Sequence, residues 1–175
     1  MDAREKQQLL KSLETGRDAL TAAVARLAED VAATSPAPGR WSVLECVEHL
    51  CLVEDYLFAQ ITASIPSETP VGSRLRENNI LKRGADRTRT LEAPEVARPT
   101  GRFLTLAEAF SAFSSSRDRT IAYVQSLKED PRMRTAHHPL IGDVNCYETL
   151  LIMAIHPHRH APQIQEIRDA LATAR

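Results

Sequence analysis

Trp41-Ser42-Val43-Leu44-Glu45-Cys46-Val47-Glu48-His49-Leu50 starts a helix and sets a histidine at the edge of its apolar face. Ser42 and Glu45 have the spacing of a capping box, in which each side chain accepts the other's backbone N–H; such a cap is worth about 1 kcal/mol. Trp41, one residue before the cap, is placed to act as an apolar staple. Cys46, Leu50, Val53, Leu57 and Ile61 then recur at the helical period, so the helix is expected to reach about Ile65 and stop before Pro66. At about 100° per residue, His49 falls roughly 60° from the centre of that stripe, beside Glu45 and Tyr56.

Three more segments carry the same period. Leu9, Leu13, Leu20, Val24, Leu27 and Val31 mark a preceding helix over Asp2 to Ala33, ended by Ser35-Pro36-Ala37-Pro38-Gly39. Thr105 and Glu108 open a third helix with a second capping box, and Leu106, Phe110, Phe113, Ile121 and Val124 line it to about Asp130-Pro131. A fourth spans Val144 to Ala172, with Ile152, Met153, Ile164, Ile167 and Leu171 on one face. No run alternates apolar and polar residues between turn signals, so strand signals are weak.

The connections differ in length. About eight residues join the first two helices, which predicts antiparallel neighbours. Pro66 to Leu104 separates the second from the third, too long for a structureless loop, so it must cross the bundle with a short helix near Arg74–Arg83. More basic than acidic, this segment reads as a solvated crossover in preference to an anion-binding lid. The expected fold is all-α, a four-helix bundle with one long crossover.

Composition narrows the function classes. The chain has 175 residues, read as one domain over 1–175, and only 5% aromatics against 43% hydrophobics, which implies an aliphatic core. A net charge of −1 gives no reason to expect nucleic acid as a partner. No apolar run approaches the ~18 residues of a membrane span. Cys46, Cys51 and Cys146 form no C-x-x-C pair, and Met1-Asp2-Ala3-Arg4-Glu5-Lys6 reads as a charged helix start in place of a signal peptide. A soluble, cytoplasmic protein is the expectation.

The chemistry lies in Ile155-His156-Pro157-His158-Arg159-His160. His156 and His160 fall near the middle of the fourth helix's buried stripe, one turn apart. Two imidazoles facing a core are costly to bury without partners. With His49 they can share a divalent metal and leave a position open. Zinc, nickel, copper and iron all suit three imidazoles. His158 points to the opposite side. His137 and His138 read as surface loop residues near the rim, and Cys46 as a small buried hydrophobe in preference to a fourth ligand. Glu45 either completes the cap or holds the free nitrogen of a ligand histidine. Arg117, within the apolar face of the third helix, can meet an anionic substrate, pair with a core carboxylate or snorkel to the surface. Pro157 and Pro162 each remove a helical donor, at about 3 kcal/mol if unrelieved, so the fourth helix is expected to kink or restart there.

Trp41-Ser42-x-x-Glu45-x-x-x-His49-Leu50 and His156-x-x-x-His160-x-x-Gln163-Ile164, the latter preceded by Pro139-Leu140-Ile141-Gly142 and Glu148, resemble the DinB-like superfamily of damage-inducible, metal-binding four-helix proteins, which includes YfiT-like members. The resemblance extends over nearly the whole chain. It implies an up-down-down-up bundle, a zinc or nickel ion on His49, His156 and His160, and a homodimer. It further implies a thiol S-transferase that uses a low-molecular-weight thiol, although some members have no known activity. A cofactor thiol held as thiolate would attack an epoxide, halide or activated alkene. The alternatives are a metal-dependent hydrolase acting on a small-molecule substrate with activated water, or a non-catalytic stress-response protein binding a metal or small ligand.

Overall fold

The computed structural model describes residues 1–88 and 91–173. Each long helix starts at a side-chain cap. Asp2 and Glu5 box the start of α1 (Ala3–Val24). Ser42 and Glu45 do the same for α3 (Val43–Thr62), with Ser42 N donating to Glu45 Oε2 at 2.7 Å. Thr105 and Glu108 cap α5 (Leu106–Ser126). Asn145 N donates to Glu148 Oε2 and Glu148 N to Asn145 Oδ1 ahead of α6 (Cys146–Thr173), a fourth reciprocal cap. These bonds satisfy N–H groups that no helix can satisfy internally.

The first helix is shorter than its apolar period suggests. It stops at Val24, Arg26 takes a left-handed φ of 57°, and a short α2 (Glu29–Ala33) follows. The break lets Glu29 reach the start of α5, where it accepts from the backbone N–H of Leu106 at 2.6 Å and of Ala107 at 3.1 Å. A carboxylate at a helix N-terminus meets both its orphan donors and its positive dipole end.

Contacts fix the helix directions. Gly16 of α1 faces Ala154 of α6, and Arg168 near the end of α6 donates to the Ala23 carbonyl, so α1 and α6 run parallel. Glu54 pairs with Arg117 and Phe58 packs on Tyr123, so α3 and α5 also run parallel. Lys6 reaches the Gln125 carbonyl, which sets α1 against α5. The result is an up-down-down-up bundle, and the parallel α3–α5 pair is what demands the long crossover. That crossover carries α4 (Arg74–Arg83) where the sequence places a short helix. Glu77 of α4 takes two bonds from Arg132, at 2.6 and 3.1 Å, and Glu5 ties Arg74 and Arg132 to α1.

A small antiparallel sheet, for which the sequence carries little signal, accompanies the helices. β1 (Ile65–Pro66) takes the last residue expected of the second helix and the proline expected to stop it, and pairs with β2 (Arg134–His138), which forms a hairpin with β3 (Gly142–Asn145). Only Ala136 and Val144, opposite each other in the register, turn fully inward from β2 and from the middle of β3. So short a pattern leaves little periodic signal. The fourth helix does not end and restart at its prolines: α6 runs unbroken through Pro157 and Pro162. Met153, whose carbonyl loses its helical donor to Pro157, accepts a 2.8 Å bond from Arg117 instead. Gly16, without a side chain, leaves room for the Ala154 carbonyl oxygen of α6, 2.7 Å from where a Cβ would lie.

The core is two aliphatic clusters. Leu20, Val43, Val47, Leu50, Phe113 and Ile164 belong to one, and Leu9, Leu13, Leu57, Ile61, Leu150 and Met153 to the other. Between them along the helices lies the buried pair Glu54–Arg117, at 2.8 Å. No helix among the described residues is long and apolar enough to cross a membrane.

Candidate metal centre

Because α3 and α6 run antiparallel, His49 on one faces His156 and His160 on the other. The His156 Nε2 atom lies 3.0 Å from His49 Nε2 and 3.1 Å from His160 Nε2. The unbroken course of α6 keeps His156 and His160 one turn apart, with ring centroids 4.6 Å from each other. His49 and His160 are buried and His156 is half-buried. Among the described residues, these three form the group whose ligand atoms lie close enough to share one metal ion, all within 4.8 Å.

Two rings have their outer nitrogens held. His49 Nδ1 donates to the Ala97 carbonyl at 2.6 Å, and His160 Nδ1 donates to Gln163 Oε1 at 3.0 Å. With the proton on Nδ1, each Nε2 presents a lone pair to the centre. Burial pushes the His49 imidazolium below its ordinary range, with partial relief from the Ala97 carbonyl. Burial drives His156 and His160 well below that range, and the neighbouring imidazoles push the same way. The rings are therefore neutral, the state a metal requires of them. A proton on His156 Nε2 can reach only one of its two neighbours at a time, so one buried lone pair always lacks a donor. A divalent cation answers all three, and the donor set fits one.

The crossover supplies the supports. Ala97 ends a single 3₁₀ turn, Glu95–Ala97, and is itself buried. Arg87 donates to Gln163 Oε1 at 3.1 Å, so the oxygen that orients His160 is held from the crossover too. Trp41 lies with its ring 4.9 Å from His49, which adds contact with the site to its packing against the core. Nothing in the sequence marks Ala97, because its contribution is a backbone carbonyl. The run His160-x-x-Gln163 does mark Gln163.

The remaining candidates fall away from the centre. Glu45 spends its carboxylate on the Ser42 N–H, which resolves its role as the cap. Cys46 is fully buried in the apolar core, and burial lifts its thiol to about 12, so it stays protonated. Tyr56 packs against the other aliphatic cluster. His137 is exposed and pairs with Asp143 at 3.1 Å. His138 accepts from the Leu140 N–H at 3.2 Å, and burial with nearby His137 and Arg76 lowers it to about 4. Arg117 neither snorkels nor faces a substrate; it is fully buried on Glu54 and on the carbonyls of Leu13 and Met153.

Comparison with known proteins agrees with the four-helix bundle. The family model described as the DinB superfamily matches residues 12–164. The uncharacterized protein YuaE of Bacillus subtilis (strain 168) is 23% identical over 139 residues, covering 79% of this chain and 84% of its own. Among solved structures, YfiT from Bacillus subtilis, described as "a probable metal-dependent hydrolase with an unusual four-helix bundle topology", superposes with a TM-score of 0.61 at 17% identity, covering 98% of this chain and 90% of its own. TT2238, described as a four-helix bundle protein, superposes with a TM-score of 0.60 at 23% identity, covering 92% and 98%.

Proposed function

The chain belongs to the DinB superfamily, and on that premise we propose that His49, His156 and His160 hold a divalent ion, zinc or nickel, in an enzyme that transfers a small thiol to an electrophile. The observation that carries the reading is the convergence of three neutral Nε2 atoms, with the outer nitrogens of His49 and His160 already held. A divalent ion on three protein ligands keeps a further position for an outside molecule and lowers the pKa of a thiol or water entering it. Thiol transfer suits the surroundings because a thiolate needs no protein base to attack an electrophile. The carboxylate expected nearest the ring, Glu45, is committed to the cap. The residues of this chain would present the ligand nitrogens, keep their tautomers fixed through Ala97 and Gln163, and shield the inner face of the site with Trp41.

A second reading, metal-dependent hydrolysis, takes its support from the description given to YfiT. It requires a base to accept a proton from water, and His138, held near 4 by burial and its basic neighbours, is a poor one at neutral pH.

Elemental analysis of the protein purified without a histidine tag, beside His49→Ala and His160→Ala, tests the metal. About one ion per chain in the parent and none in either variant is the expected result. The loaded protein is then given small thiols with an epoxide, a halide and an activated alkene, and in parallel simple esters and amides. Metal-dependent loss of thiol supports transfer, whereas metal-dependent ester or amide cleavage without it replaces transfer with the second reading.

A further inference from the structure

Glu48, the residue before His49, is 1% exposed and takes no part in the histidine cluster. Its Oε1 accepts three bonds from one short stretch of the crossover: Thr100 N at 2.6 Å, Thr100 Oγ1 at 3.3 Å and Arg102 N at 3.1 Å. Gly101 between them has a φ of +77°, a left-handed conformation that a β-branched residue rarely adopts. Oε2 is buried with no hydrogen-bond partner. A carboxylate buried at this cost calls for an explanation.

The stretch it grips begins three residues after Ala97, whose carbonyl holds His49. Little slack separates the two points. Pro94 and Pro99 fix the backbone on either side of Ala97, Ala97 N donates to the Pro94 carbonyl at 2.9 Å, and Arg98 Nε donates to the Ala93 carbonyl at 3.1 Å. Consecutive residues of α3 thus hold consecutive parts of one stiff segment.

We propose that Glu48 is a positioning residue for the candidate metal centre: by anchoring Thr100 and Arg102 it places the Ala97 carbonyl that keeps His49 Nδ1 protonated and its Nε2 turned toward His156 and His160. The proposal rests on the three-histidine reading of the site. Its effect passes through the crossover, so it reaches metal affinity and the His49 tautomer without Glu48 meeting the ion.

The test uses zinc titration together with ¹⁵N imidazole spectra of the metal-free protein, for the parent, Glu48→Ala, Glu48→Gln and Gly101→Val. Loss of a partner that orients a ligand costs about 10- to 100-fold in metal affinity, and an anchor one step removed belongs at the lower end, about 10-fold. Glu48→Ala is expected to bind zinc about that much more weakly and to show a mixture of His49 tautomers. Glu48→Gln, which keeps an acceptor oxygen for both amides, is expected to recover the single Nδ1–H tautomer and most of the affinity. Gly101→Val disturbs the loop without touching α3, and is expected to weaken zinc binding; it decides the matter if Glu48→Ala does not fold. Unchanged affinity and tautomer in Glu48→Ala, or in Gly101→Val where that variant decides, would overturn the proposal, leaving the packing of Ala97 sufficient. Failure of the parent to bind zinc while its His49 still shows the single tautomer counts against the metal reading, and the tautomer comparison among variants still decides the role of Glu48.

Discussion

The Arg117 guanidinium lies 2.8 Å from the Met153 carbonyl, the acceptor that Pro157 leaves without its helical donor. The same guanidinium reaches Glu54 at 2.8 Å and the Leu13 carbonyl at 3.1 Å, so one cation joins α1, α3, α5 and α6 at mid-bundle. A buried ion pair adds little over apolar packing, yet removing one partner leaves the other charge uncompensated. Arg117→Leu should therefore cost about 3–5 kcal/mol. In a Pro157→Ala background a backbone N–H again serves Met153, and the same substitution should cost about 1 kcal/mol less. A double-mutant cycle by urea denaturation measures the coupling; strict additivity would remove Met153 from the account.

Gly16 of α1 packs directly against the backbone of α6. A Cβ built there would lie 2.7 Å from the Ala154 carbonyl oxygen, a backbone atom that cannot swing aside. Replacing glycine by alanine inside a helix ordinarily stabilises it by roughly 0.5–1 kcal/mol. Here the sign should reverse, with Gly16→Ala losing about 1–3 kcal/mol as the helices are forced apart. Thr15→Ala on the exposed side of the same turn should stay within about 0.5 kcal/mol of the parent. Thermal denaturation of the pair reads the contrast directly.

Much of this arrangement is written in local chemistry. Ser42 with Glu45 and Thr105 with Glu108 mark two helix starts because a cap is a short-range bond between near neighbours. His49, His156 and His160 could be grouped because each sits at or near an apolar stripe, and stripes face one another in a bundle. What the sequence hid depends on distant partners. The break after Val24 makes sense once Glu29 is seen at the start of α5. The prolines of α6 look disruptive until Arg117 is found on Met153. The sheet leaves little trace in the sequence because β2 contributes one buried residue, Ala136, and His137 and His138 read more readily as loop.

Acid should loosen the crossover at Glu5. Burial alone would raise this carboxyl, but Arg74, the Asp2 N–H and Arg132 outweigh it and hold Glu5 at about 2. A carboxyl depressed in the folded state contributes its stability above the unfolded value of 4.5 and loses it as pH falls toward 2. Glu5→Gln should accordingly be less stable than the parent at pH 6, with the gap closing between about pH 4.5 and 2. Asp55 and Asp130 are also depressed, so the difference between the two proteins, measured by denaturation across that range, isolates Glu5 from the wider acid response. A constant gap would mean that its carboxylate is not what the arginines hold.

Gln163 offers a way to weaken the metal centre without removing a ligand. Its Oε1 receives both His160 Nδ1 and Arg87 Nη1, so Gln163→Leu frees the ring to turn and deprives Arg87 of an acceptor. Loss of such a support should raise the zinc dissociation constant about 10- to 100-fold. Ligand linkage converts that into heat stability: at a zinc concentration of about 100 times the parent's dissociation constant the parent gains about 2.7 kcal/mol. Under the same conditions Gln163→Leu should gain about 1.4 kcal/mol if the loss is 10-fold and about 0.4 kcal/mol if it is 100-fold. His160→Ala should gain nothing, and a chelator should return the parent to its metal-free melting temperature. Equal gains in the parent and Gln163→Leu would mean that the packing of α6, and not the amide oxygen, fixes the His160 ring.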